Sequence, residues 1–126
     1  MITSKQKNEK VHIFDLEERT YLFSKKVRVF ISLLPKTPSN NEDIKQLVRS
    51  SGSVGANYIE ANESLGKKDF CMRIKISKKE AKESIYWLKL IDTGINEDLD
   101  TERRELIDEA TQLMKILGAI LTKSSS

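Results

Sequence analysis

The chain is predicted to be all-α, an antiparallel up-down-up-down four-helix bundle, on three observations. Five Gly and two Pro in 126 residues, with 33% charged and 38% hydrophobic residues, favour long solvated helices over a sheet with many turns. Apolar residues recur at three- and four-residue spacing in four separate stretches. Pro or Gly clusters of a few residues separate those stretches, which is the connection length of antiparallel neighbours.

Residues 1–14 are polar and read as a flexible arm, and the bundle is expected over 15–123. Asp15, followed by Glu17 and Glu18, offers a helix N-cap with acids in the first turn. Leu16, Thr20, Phe23, Val27, Phe30 and Leu34 then form one stripe, ended by Pro35 and Pro38. Ser39 through Glu42 has capping-box form. It opens a second helix whose expected stripe is Ile44, Leu47, Val48, Ser51, Gly55, Tyr58 and Ile59. Ser64, Leu65 and Gly66 break it.

The third helix is predicted from about Lys67 to Asp92, because Phe70, Ile74, Ser77, Ala81, Ser84, Leu88 and Ile91 keep a heptad rhythm. A turn over Thr93 to Asn96 leads to a fourth, with Leu99, Leu106, Ala110, Leu113, Leu117 and Leu121 inward.

At about 100° per residue, with Phe70 as origin, Lys68, Lys75, Lys78, Lys79, Lys82 and Lys89 fall between about 80° and 180°. Seven basic residues and two acids between Lys67 and Lys82 give a local charge of +5, against +3 for the whole chain. Such a ribbon suits a phosphate backbone, which point charges position without reading bases. The bland reading is a solvated helix face, and both stand at this point. Few aromatic residues interleave with the lysines, so base stacking is not indicated.

The opposite flank of helix three carries Arg73, Ile76, Glu80, Glu83, Trp87 and Leu90. It reads either as a seam between subunits, with Arg73 ion-paired to Glu80 or Glu83, or as a wide core edge within one chain. Helix two is rich in Ser50, Ser51, Gly52, Ser53, Gly55 and Ala56, a poor choice by propensity that close backbone approach would offset. Gly55 sits on the inner stripe, while Gly52 and Ala56 sit on another flank suited to a second contact, so they join the expected oligomer interface. Arg49 and Glu60 could bond to adjoining helices, and Asn57 needs a specific partner.

Catalytic chemistry is not expected. The one histidine, His12, lies in the arm, so the Glu-x-x-His pairs of a di-iron bundle cannot form. No Ser-His or Cys-His arrangement exists, and Cys71 reads as a small packed side chain. No metal or cofactor is expected. The single cysteine precludes an internal disulfide, and no apolar run approaches the ~18 residues of a membrane span. The polar N-terminus has no signal-peptide core, so a cytoplasmic protein is expected.

Ser51 to Ala61, with Lys68, Asp69, Phe70, Arg73 to Ile76, Lys79 to Ser84 and Tyr86 to Leu88, resembles the bacterial four-helix bundle family that includes the 23S ribosomal RNA intervening-sequence proteins. The match runs from about Leu16 to Leu121. The resemblance implies an antiparallel bundle assembled as a ring-like homopentamer, akin to the accessory variability determinant of diversity-generating retroelements, which binds nucleic acid and a reverse transcriptase. It also implies that Arg49, Ser53, Asn57, Glu60, Asp69, Phe70, Glu80 and Glu83 are the family's characteristic positions. Ala61 stands where the family's helix-two ending has glycine.

The expected function is therefore a non-catalytic homo-oligomer that binds RNA or DNA through the lysine face. The alternative is a protein-interaction scaffold that binds no nucleic acid.

Overall fold

The structure, a computed structural model, describes residues 16–125. The arm expected over residues 1–14 and the cap expected at Asp15 lie outside those residues. Four helices account for the fold: α1 (Leu16–Ser32), α2 (Pro38–Asn62), α3 (Lys67–Leu90) and α4 (Glu97–Ser125). Each packs against two neighbours, in the cyclic order α1, α2, α3, α4, and the backbones of the diagonal pairs stay apart. Cross-helix partners fix the sense. Arg49 meets Glu80 while Asn57 meets Arg73, and Arg19 of α1 meets Glu109 of α4, so successive helices run antiparallel.

The predicted stripes of α1, α3 and α4 are the core. Phe23, Val27, Phe30, Ile74, Ala81, Leu88, Ala110, Leu113 and Leu117 are all essentially inaccessible to solvent. Phe70 and Leu121, at the ends of their stripes, are half-buried. On α2 the inner face is rotated from the expected one. Leu47, Ser50, Ser51, Val54 and Ala61 are buried, whereas Ile59 is 47% exposed. The reason is the neighbour. Ser77 Oγ of α3 donates to the Val54 carbonyl at 2.6 Å, and Ser84 Oγ donates to Ser50 Oγ at 3.0 Å. Small hydroxyl side chains let the two backbones close on each other, so Ser77 and Ser84 of the expected α3 stripe meet Val54 and Ser50, which lie outside the expected α2 stripe, at the α2–α3 seam. Among the described residues no buried side-chain nitrogen or oxygen lacks a hydrogen-bond partner.

The close approach expected at Gly55 is made by α1. A Cβ there would lie 2.8 Å from Thr20 Oγ1, a buried hydroxyl already donating to the Leu16 and Glu17 carbonyls. Gly52 also faces α1, near Ser24 and Arg28 at ordinary distance.

Connections and caps complete the frame. The capping box expected at Ser39 to Glu42 does not form. Thr37 is the N-cap, its hydroxyl accepting from the Asn40 N–H, and Pro38 takes the first helical turn, where its missing N–H costs nothing. Asn40 is buried and joins two loops: its Nδ2 donates to the Pro35 and Asp92 carbonyls, and its Oδ1 accepts from the Asp92 N–H. Gly94 has φ +70°, and a Cβ there would meet Pro35 Cγ at 2.7 Å. Ile95 follows at φ 59°, a left-handed conformation that β-branched residues rarely adopt. Arg103 of α4 then reaches back to donate to the Leu88, Lys89 and Ile91 carbonyls, a cation on the negative end of α3.

Candidate nucleic-acid interface

Helix α3 is continuous across the stretch that carries the lysines, so its faces can be read directly. Gly66 opens it with extended backbone and no side-chain cap, Asp69 lies in the first turn and Lys89 in the last, each favourable to the helix dipole. Lys68, Lys75, Lys79, Lys82 and Lys89 are exposed. Lys78 is half-buried: its stem lies over Gly118 of α4, with Cε and Nζ 3.5 Å from where a Cβ would sit. The lysine ribbon therefore borders the α3–α4 seam, and glycine at position 118 lets one lysine cross that seam. Among the described residues none of these six lysines forms an ion pair.

The acids of α3 are engaged on the other flank. Arg49 of α2 donates through Nη1 to Glu80 at 2.8 Å and through Nη2 to Glu83, while Trp87 Nε1 donates to the same Glu83 oxygen at 2.9 Å. Glu80 is buried. Partial burial works against the Arg49 charge, but the two carboxylates outweigh it and leave the guanidinium pKa raised. Glu80 and Glu83 thus find their cation inside the chain, on a residue from α2, where pairing with Arg73 was expected. Arg73 instead donates to Asn57 Oδ1 at 3.3 Å, and Asn57 also donates to the Ser53 carbonyl. Ile76 and Trp87 are half-buried, while Leu90 is 51% exposed. Within one chain this flank is partly covered by α2 and leaves Leu90 exposed. Gly52 is half-buried beneath α1, and Ala56 and Glu60 are exposed.

Arg49 was expected to bond across helices, but its role as a two-carboxylate clamp needed the α2–α3 register. Once α2 runs antiparallel, positions 49 and 80 come level, and Glu83 follows one turn on. The buried Asn40 carried no signal beyond its polarity.

Cys71 is half-buried and unpaired. Among the described residues no group of three or more His, Cys, Asp or Glu is placed to hold a metal ion. No helix there is long and apolar enough to cross a membrane.

The fold and sequence have relatives. The chain is similar to a Bacteroides thetaiotaomicron protein of unknown function from the S23 ribosomal protein family, at 28% identity and a TM-score of 0.72, over 84% of this chain and 97% of that one. Among curated proteins none matches. The family model described as 23S rRNA-intervening sequence protein matches residues 14–119, spanning all four helices, and the chain belongs to that family.

Proposed function

We propose that this protein is a non-catalytic homo-oligomer, with a pentamer implied by its family resemblance, that binds RNA or DNA through Lys68, Lys75, Lys78, Lys79, Lys82 and Lys89 of α3. The observation that carries this reading is the segregation of charge on one helix. The six ammonium groups lie on one side without an ion pair, while Glu80 and Glu83 are held on the other by Arg49. Like-charge pairs at i,i+4, such as Lys75 with Lys79 and Lys78 with Lys82, work against the helix, and a bound polyanion would relieve that repulsion. Repetition of the ribbon around a symmetric assembly would sum the fields of several copies. Binding of this kind follows phosphate spacing and is largely independent of base sequence.

The test is charge reversal. Lys75→Glu, Lys78→Glu and Lys82→Glu together should reduce affinity for a labelled single-stranded RNA at least 100-fold in a shift assay, with helicity and light-scattering mass unchanged. Wild-type protein that fails to retain RNA at low salt would contradict the proposal.

A second reading has its own support. Met72, Tyr86 and Leu90 are each more than half exposed along the outermost line of α3, an apolar surface suited to a protein partner. Pull-down with and without nuclease separates the two readings, since a partner bridged by nucleic acid is lost on digestion.

A further inference from the structure

The seam between α1 and α4 is the least closed of the four. On its α1 side, Leu22, Val29 and Leu33 are 43%, 58% and 61% exposed. They fall on the same face as Lys26 by their spacing of three and four residues. On its α4 side, Asp98, Glu102 and Glu105 flank an open groove of about 560 Å³ floored by Leu106, which Lys26 also lines. Arg19 closes the far end by pairing with Glu109 at 2.8 Å. Among the described residues Asp98, Glu102, Glu105 and Lys26 form no ion pair.

The helix dipole accounts for acids in the first turn of α4, namely Glu97, Asp98 and Asp100. It does not reach Glu102 and Glu105, which repel each other at i,i+3 spacing. An apolar helix face rimmed by unpaired carboxylates fits a chain that is both cationic and apolar.

The sequence that leads into α1 has that composition: Lys5, Lys7 and Lys10, followed by Val11, Ile13 and Phe14. Its reach is sufficient. Lys10 is six residues before Leu16, about 20 Å of extended chain. Lys26 is ten residues after Leu16, about 15 Å along the helix. Turned back at Leu16, that length is enough to carry the apolar residues to Leu22 and the lysines to Glu102 and Glu105.

We propose that residues 5–14 dock along the α1–α4 seam, with Val11, Ile13 and Phe14 over the apolar stripe of α1 and Lys7 and Lys10 on Glu102 and Glu105. The contact covers an apolar surface that would otherwise face solvent. It also offsets a negative field on the far side of α4 from the lysine ribbon. This inference stands independently of nucleic-acid binding.

Zero-length carbodiimide coupling of amines to carboxylates tests it on the full chain, with equimolar unlabelled and ¹⁵N-labelled protein mixed and allowed to exchange subunits before coupling. Peptide mapping at low salt should find Lys7 or Lys10 joined to Glu102 or Glu105 within one isotopic population. The yield should fall at least fivefold in 0.5 M salt and in the Glu102→Lys, Glu105→Lys variant. The compensating Lys7→Glu, Lys10→Glu exchange in that variant should restore coupling, with helicity unchanged throughout. Mixed-isotope links at the statistical share, half of all links in an equimolar mixture, would assign the seam to a second copy and overturn the proposal. Absence of coupling to α4 in folded wild-type protein would overturn it equally.

Discussion

The two flanks of α3 share one backbone and both carry charge, yet they meet opposite fates. Toward α2, Glu80 and Glu83 share the Arg49 guanidinium and Trp87 adds its N–H, so the charges are compensated and partly removed from solvent. Toward α4, none of the six lysines forms an ion pair among the described residues, and Lys78 lies along Gly118. Charge on a helix is therefore not one property. The compensated flank contributes to stability, whereas the uncompensated one works against the helix locally and is free to meet a partner.

The largest effect on stability should come from breaking the clamp. Arg49→Ala leaves the buried Glu80 carboxylate without its cation, and a cost of about 1–3 kcal/mol is expected in urea unfolding, with the half-exposed Arg49 keeping it below the value of a fully buried pair. A smaller and graded effect separates the two carboxylates. Glu80→Ala, at the buried end, should cost more than Glu83→Ala, whose side chain is 31% exposed and whose loss also frees Trp87 Nε1. Trp87 fluorescence should change in the second variant more than in the first.

Where α3 hands over to α4, Asp100 sharpens the contrast through pH. The hydroxyl of Thr93, 2.5 Å away, and the Arg103 guanidinium hold its carboxyl below the usual range. A depressed folded-state pKa gives stability that is present above about pH 4, the unfolded carboxylate range, and is lost as pH falls through the folded value. Asp100→Asn should therefore lower Tm modestly at pH 7 and leave it unchanged well below pH 3. The smallest effect belongs to the lysine flank. Lys79→Ala should change stability by no more than about 0.5 kcal/mol, with any gain reflecting relief from Lys75.

How far the sequence could be read followed the same physical division. The stripes of α1, α3 and α4 were legible because Phe, Ile and Leu recur there at helical period, and Gly94 marked its turn. Helix α2 was legible as a helix but not in its rotation. Its buried face includes Ser50 and Val54, which the expected stripe left out, and Ser50 matches Ser84 in a way that depends on a neighbour's register. Capping at Thr37, the loop tie through Asn40 and the Arg49 clamp depend on contacts distant in sequence, which periodicity does not report. The lysine ribbon needed only the helix repeat, and so was visible in full.

Phosphate binding by the uncompensated flank of α3 is read out by the salt dependence of RNA affinity. Anisotropy titrations of the wild type with single-stranded RNA between 50 and 200 mM salt should give log K falling linearly with log salt. If all six lysines contact phosphates, the slope should be near about −4 for one copy's ribbon. A slope indistinguishable from zero, or the same slope after reversal of Lys75, Lys78 and Lys82, would contradict it.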